Sequence, residues 1–375
     1  MEKTVLIVIG TRPEAIKMAP VYMALSSKKD IKPYILSTGQ HIELLDIALS
    51  TFGLSADFRL DIMKEAQTLS YLTSALANGL ETMYLKIKPD VVLVHGDTTT
   101  TMMGALIAFY MKISVMHVEA GLRSLNRFEP FPEEINRRLV DQMADVLFPP
   151  TPIAKKRILE EKPEVVDIFT TGNTVVDALL WVKSNKLAGI PLHPDLEEKQ
   201  YILLTAHRRE NWGEPLRKIY RAVKKIVKET GLKVIYPVHP NPKVKDIAYE
   251  ELGSIKEIIL TEPMDYISFL KHMAEARVVL SDSGGVQEEA PSFGVPVVLL
   301  RRVTERPEGV KTGHIVLAGT EVDDIVDKTL NILYYKLPSY NPFGDGHASE
   351  RIADYIRYYT GLTSYKPQEW VISYG

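Results

Sequence analysis

The chain has no cysteine in 375 residues. That excludes disulfides, thiolate nucleophiles and Cys-ligated zinc or iron–sulfur clusters, and it suits a reducing or a hot compartment. Long apolar runs are also missing. The opening stretch, MEKTVLIVIGTRPE, holds about six apolar residues before Gly10, whereas a secretory core needs about 7–15 and a membrane span about 20. The expected reading is a cytoplasmic β-strand with no membrane partner. Charge is balanced: 45 Lys and Arg against 48 Asp and Glu leave a net charge of −3, which gives no electrostatic case for nucleic acid or an anionic membrane. Neither GxxxxGK[ST] nor GxGxxG occurs anywhere, and there is no HExxH, so nothing points to a P-loop, a dinucleotide fingerprint or a compact metal-ligand pair.

What is present is a repeated alternation. The length suits two domains, each with its own core. The first half reads TVLIVIG, helix 14–28, KPYILST, helix 41–52, helix 68–88, DVVLVHGD, helix 98–111, SVMHVEAG, helix 133–144 and DVLFPP. Its strands are Val- and Ile-rich without strict alternation, as in parallel strands covered on both faces. Its helices carry apolar residues at helical spacing, such as Leu69, Leu72, Leu76 and Leu80. The aperiodic stretch KLAGIPLHPDLEEKQ at 186–200 reads as a linker. The second half then starts again with YILLTAH, helix 215–230, KVIYPVH, helix 243–252, EIIL, helix 264–274, RVVLSDSGG, helix 286–293, VPVVLLR, and HIVLAG with a helix after it. The expected fold class is α/β, two doubly wound Rossmann-like domains facing across a cleft. Ligands in such folds sit beyond the C-terminal ends of the strands.

Polar residues collect at those strand ends. Gly10 leads into Thr11-Arg12-Pro13-Glu14, His95-Gly96-Asp97 closes one strand, and His117 and Glu119 close the next. His207 with Arg208, Arg209 and Glu210 follows a third, His239 a fourth, and Ser281 to Gly285 a fifth. Any one of these is ordinary turn chemistry: Asp97 before Thr98 suits an N-cap, and Glu133-Glu134 after Pro132 suits a first helical turn. Their number at a single edge points to an active site. In DSGGVQEEA, Gly284 and Gly285 permit a tight turn whose free N–H groups favour phosphate. Glu288 and Glu289, one turn further in, are either normal helix-start acids or acceptors for ribose hydroxyls. Arg12, Arg208, Arg209, Arg301 and Arg306 offer guanidinium forks for a diphosphate, with surface ion pairing the alternative for each. Carboxylates on one domain opposite a cationic second domain suit proton transfer on a substrate whose leaving group is a nucleoside diphosphate.

Taken in order, GTRPEAIKMAP, TGQH, HGDTTT, HVEAGLRS, PFPEEINR, TGNTVVDAL, HRREN, HPNP, DSGGVQEEAPSFGVP and TERPEGV resemble the non-hydrolysing UDP-N-acetylglucosamine 2-epimerases, from residue 9 to about 310. The resemblance implies a GT-B-like fold with an N-terminal domain of 1–185 plus about 348–375 and a UDP-binding domain of 186–347. A C-terminal helix near 348–359 then crosses back to the first domain. It implies a homodimer that interconverts UDP-GlcNAc and UDP-ManNAc, without metal or other cofactor, by loss of UDP to 2-acetamidoglucal and re-addition. By motif, Asp97, Glu119 and Glu133 become the acid/base candidates, and His207 faces the diphosphate. Arg12 and Lys17 contact the phosphate region, while Ser283, Gly284 and Gly285 hold phosphate. Glu289 takes the ribose, Phe269 and the backbone near Met264 take uracil, and Arg306 closes over the nucleotide.

Some bacterial relatives bind a second UDP-GlcNAc as activator. Gln40, His41, Gln67, Arg208, Arg209 and His239 match that pocket. Ala66 stands where Arg is common and Glu43 where Gln is common, and a lost guanidinium–phosphate contact weakens binding by about 1–3 kcal/mol, which counts against activation here. The rival readings are a retaining nucleotide-sugar glycosyltransferase and a hydrolysing 2-epimerase. Further off are a metal-dependent phosphohydrolase and a non-enzymatic nucleotide-sugar sensor.

Overall fold

The computed structural model describes residues 2–39, 42–60, 62, 68–161 and 167–372. The chain divides into two units, Met1–Trp181 with Phe343–Gly375, and Val182–Pro342.

In the first unit β1 (Lys3–Ile9), β2 (Ile31–Ser37), β3 (Phe58–Arg59), β4 (Val91–His95), β5 (Ser114–Val118), β6 (Val146–Phe148) and β7 (Asp167–Ile168) form a parallel sheet. Its order is β3-β2-β1-β4-β5-β6-β7. Between the strands run α1 (Arg12–Ser26), α2 (Ile42–Thr51), α3 (Leu69–Ile87), α4 (Thr99–Tyr110), α5 (Glu133–Met143) and α6 (Pro152–Glu161), and α7 (Thr174–Asn185) follows β7. Strand β4 is buried along its whole length, and β1 and β5 are buried beyond their first residues, which explains why they lack an alternating pattern. In α3 Leu72, Leu76 and Leu80 are buried as their spacing predicts, but Leu69 stays 45 % exposed. A helical side chain leans back over the preceding turn, and at the first residue of a helix there is none to lean on.

The second unit repeats the scheme. Its strands β8 (Tyr201–Thr205), β9 (Lys233–Pro237), β10 (Ile258–Thr261), β11 (Val278–Ser281), β12 (Val297–Leu299) and β13 (Ile315–Leu317) lie in the order β10-β9-β8-β11-β12-β13, all parallel. The helices are α8 (Glu214–Thr230), α9 (Pro242–Leu252), α10 (Tyr266–Ala274), α11 (Gly284–Glu289), α12 (Pro307–Lys311) and α13 (Val322–Ile332). In α8 Leu216, Ile219, Tyr220, Val223, Ile226 and Val227 make one buried stripe, with Gly231 ending the helix at a φ of +68°. Helix α11 is shorter than the expected 286–293 and passes into a 3₁₀ turn over Ala290–Phe293. Pro291 has no N–H to continue an α-helical ladder.

The last helix, α14 (Ala348–Tyr359), returns to the first unit and packs against α1. Asp177 on α7 caps it, accepting the Ser349 N–H at 2.7 Å, and Arg357 pairs with Asp30 at 2.8 Å. Periodicity marks no element between 150 and 185, where α6, β7 and α7 lie. Helix α6 buries only Ala154 and Ile158, β7 has two residues, and α7 is buried on most sides over Thr174–Val182 and exposed beyond, so none carries a clean period. The stretch 186–200 contains no helix or strand. Among the described residues no helix is long and apolar enough to cross a membrane.

Candidate active site

Each sheet has a point where the winding reverses. From β1 the chain turns to β2 on one side, and from β4 to β5 on the other; β8 and β11 stand in the same relation. Connections diverge there and leave an opening beyond the C-terminal strand ends, the usual ligand position in doubly wound sheets. The polar clusters lie at these two places.

In the first unit Gly10 directly follows β1. A Cβ there would sit 2.5 Å from Thr100 Oγ1 and 2.6 Å from Thr38 Oγ1, so only glycine lets these segments converge. Glu14, 3 % exposed, ties the junction together. Its Oε2 accepts the N–H groups of Gly10 (2.7 Å) and Thr11 (2.8 Å), and its Oε1 accepts the hydroxyls of Thr98 (2.6 Å) and Thr101 (3.1 Å). Arg12, the first residue of α1, is half-exposed.

Glu119 follows β5 with a φ of +66°. A residue with a Cβ enters that region at a cost of about 1 kcal/mol or more, and such strain concentrates where a side chain must be aimed. Its N–H is fixed to the Phe148 carbonyl at 3.1 Å. Its carboxylate accepts Lys17 Nζ and Asn173 Nδ2 (3.1 Å), and His95 Nε2 lies 3.7 Å away. Lys17, Asn173 and His95 are all buried. Lys17, expected near phosphate, is thus paired with the carboxylate of Glu119.

The ends of β4 and β5 are in register, His95 opposite Val118, which makes Asp97 and Glu119 close neighbours along the sheet edge. Asp97 is not an N-cap. Thr98 caps α4, its hydroxyl accepting the Thr101 N–H at 3.1 Å. The Asp97 carboxylate instead accepts Arg137 Nη2, and its carbonyl accepts Asn136 Nδ2 at 3.0 Å, both from α5. At the start of α5 the two acids differ. Glu134 is fully buried and braces the loop, accepting Ser124 N–H (2.9 Å), Arg137 Nη1 (3.1 Å) and Arg138 Nη2 (3.0 Å). Burial opposes ionisation of Glu134, but the Ser124 N–H and the Arg137 charge outweigh it and hold its carboxyl below the usual range. Glu133 is half-buried beside it.

In the second unit His207 follows β8, and Asp282 and Ser283 to Gly285 follow β11, its neighbour. Gly284 opens α11, and a Cβ on it would lie 3.0 Å from Arg306 Nη1, so the guanidinium rests against the glycine turn. Arg306 Nε donates to Glu288 Oε1 at 2.6 Å, whereas Glu289 Oε1 accepts the Tyr266 hydroxyl at 3.1 Å. The two adjacent acids therefore have different partners. Phe269 on α10 and Met264 just before it are half-buried. Arg208 is half-buried, Arg209 and His239 are exposed, and Gln40, His41 and Gln67 lie outside the described residues.

A cationic group with its counter-ions completes this end. Burial, then the charge of Arg301, pushes the Arg208 guanidinium below its ordinary value. Arg301 donates to Glu210 at 3.0 Å and grips Glu305 with both terminal nitrogens at 3.1 and 3.2 Å. Burial would raise Glu305, but the Arg306 charge and the Arg301 fork overcome it and hold the carboxyl at about 2. The folded value is depressed, so the stabilisation is present above the ordinary value of 4.5 and lost as pH falls toward 2. Its size is roughly 3 kcal/mol. In urea titrations between about pH 5 and pH 2.5, Glu305→Gln should therefore lose less stability with acid than the parent chain; equal acid limbs would remove this account.

Asn173, Asn136 and Arg137 are not singled out by sequence, and Asp282 enters only within the strand-end cluster Ser281 to Gly285. Each has a faint signal: TGN within the TGNTVVDAL motif, INRR one turn into a helix, and an acid directly before SGG.

Residues 23–357 match the family model described as UDP-N-acetylglucosamine 2-epimerase. The chain belongs to that family. Among relatives, the UDP-N-acetylglucosamine 2-epimerase of Bacillus subtilis is 46 % identical over 376 residues, covering 98 % of each chain. Among solved structures, the UDP-GlcNAc 2-epimerase from Neisseria meningitidis bound to UDP-GlcNAc superposes with a TM-score of 0.87 at 40 % identity, covering 94 % of this chain and 99 % of that one. The Methanocaldococcus jannaschii enzyme in complex with UDP-GlcNAc and UDP gives a TM-score of 0.82 at 37 % identity, with 95 % and 99 % covered. Membership in this 2-epimerase family makes the chain an isomerase with a GT-B-like fold.

Proposed function

We propose that the enzyme interconverts UDP-GlcNAc and UDP-ManNAc by eliminating UDP to 2-acetamidoglucal and adding it back after protonation of the other face of C2. The observation that carries this reading is Glu119, held in a left-handed conformation and paired with Lys17 and Asn173, one strand away from Asp97. Relatives that bind UDP-GlcNAc and UDP supply the substrate class.

The chemistry requires more than one acid. The hydrogen at sugar C2 is not adjacent to a carbonyl, so enolisation is unavailable and the proton must leave as the C1–O bond to UDP breaks. Re-addition needs a donor on the opposite face. Asp97, Glu119 and Glu133 take these proton-transfer roles, and His207 meets the diphosphate as its charge develops. Arg12 and Lys17 attend the phosphate region. Ser283, Gly284 and Gly285 hold phosphate and Arg306 closes over it. Glu289 takes ribose hydroxyls, while Phe269 and the Met264 backbone take uracil. Arg306 already lies on Gly284, and Tyr266 holds Glu289, which supports a prearranged nucleotide grip.

The test is UDP-GlcNAc in deuterated water followed by NMR. The expected result is UDP-ManNAc with deuterium at C2, and Asp97→Asn binding UDP but losing exchange at C2. Free ManNAc as product would establish a hydrolysing enzyme, and near-normal exchange in Asp97→Asn would remove that residue from proton transfer.

A further inference from the structure

Asp282 directly follows β11 with 0 % exposure. Its Oδ2 accepts three hydrogen bonds, from the N–H groups of His207 and Arg208 at 2.9 Å each and from Asn211 Nδ2 at 3.0 Å. Its Oδ1 is sealed from water and makes no hydrogen bond, yet His207 Nδ1 stands 3.4 Å away. A buried carboxylate oxygen without a donor is destabilising, and the facing ring nitrogen is the group that can supply one. On its other side His207 stacks on His239, ring centroids 5.6 Å apart and planes 7° from parallel. His239 Nδ1 accepts the Asn241 N–H at 3.2 Å, so its own ring hydrogen sits on Nε2. The stack restrains rotation of the His207 ring, whose side chain remains 38 % exposed.

We infer that Asp282 is a positioning residue for His207: Oδ1 takes the Nδ1–H, fixing the neutral tautomer and leaving Nε2 for the ligand. This rests on the reading of His207 as the group that meets the diphosphate. A carboxylate at Nδ1 also stabilises the ring when it gains a second proton, at Nε2, as a buried Asp does for the histidine of serine proteases. Asp282→Asn keeps an oxygen for the three N–H donors and turns its NH₂ toward Nδ1. The neutral ring must then accept at Nδ1 and carry its hydrogen on Nε2, and the doubly protonated ring would set N–H against N–H.

The experiment is a two-bond ¹H–¹⁵N correlation spectrum of the full chain labelled with ¹⁵N-histidine, at about pH 9, above the ordinary histidine range. The His207 signals are identified by their loss in His207→Asn. We expect Nδ1–H with a bare Nε2 in the parent chain and the reverse in Asp282→Asn. With it, kcat should fall by on the order of 10²-fold while KM changes less than about threefold. An Nε2–H tautomer in the parent chain, an unchanged tautomer in the variant, or kcat retained within about threefold overturns the inference. If the variant does not fold, the parent tautomer decides alone. If the parent chain shows no epimerisation, the functional reading falls and the tautomer result still stands.

Discussion

Glu119→Gln should lower kcat for interconversion of UDP-GlcNAc and UDP-ManNAc by about 10³-fold or more, with UDP affinity changed by less than about threefold. Glutamine has the same length and tolerates the +66° backbone no worse, so the geometry at the end of β5 should survive. What changes is charge. Lys17, 8 % exposed, would face an amide in place of its anionic partner, and the site would lose a group able to take or give a proton. General acid–base groups contribute about 10²–10⁴-fold each. Deuterium incorporation at C2, followed together with UDP release, is the decisive measurement. UDP binding is read separately by calorimetry, because the residues proposed to hold UDP belong largely to the second unit. Turnover within about tenfold of the parent would place the essential acid elsewhere.

Much of this arrangement could be read from residue pattern alone, and the exceptions share a cause. Strands such as VVLVH and helices such as α8 announce themselves, because burial on both faces or on one stripe writes a repeated apolar signal. Strands β3 and β7, two residues each, carry no period at all. Which acid of an adjacent pair is committed to structure was equally invisible. Glu133 and Glu134 follow the same proline, and only the positions of Ser124, Arg137 and Arg138 make Glu134 the brace. Glu288 and Glu289 are separated in the same way, by Arg306 and Tyr266. Asn173 reaches Glu119 across 54 positions of sequence, a contact that depends on β7 and α7, the elements periodicity did not mark. Motifs thus locate the chemistry at strand ends, while the partners that tune each group come from packing at long range.

Asp141→Asn should destabilise the chain by roughly 3–5 kcal/mol, as expected when one member of a buried ionic group is neutralised. Asp141, His117 and Arg123 are each no more than 2 % exposed. His117 Nδ1 meets Asp141 Oδ1 at 2.7 Å and its Nε2 meets the Gly96 carbonyl at 2.7 Å, so both ring nitrogens face oxygen acceptors. Arg123 Nη2 donates to Asp141 Oδ2 at 2.7 Å. Burial alone would raise the Asp141 carboxyl, but His117 and Arg123 outweigh it and hold it below the usual carboxylate range. Its stabilisation is therefore present above the ordinary Asp value of 3.8 and disappears as pH falls through the lowered one, so the variant should also lose that part of the acid limb. Glu161→Gln is the comparison, since Glu161 also pairs with Arg123 but is 30 % exposed, and it should cost less than about 1 kcal/mol. The buried variant should affect turnover as well. With His117 released, the Gly96 carbonyl loses its fixed donor, and Asp97 is the next residue along; a shift near 1 Å there lowers rate by on the order of 10²-fold. Urea midpoints for the two variants that proved equal would show that the buried triad does not hold the Asp97 loop in place.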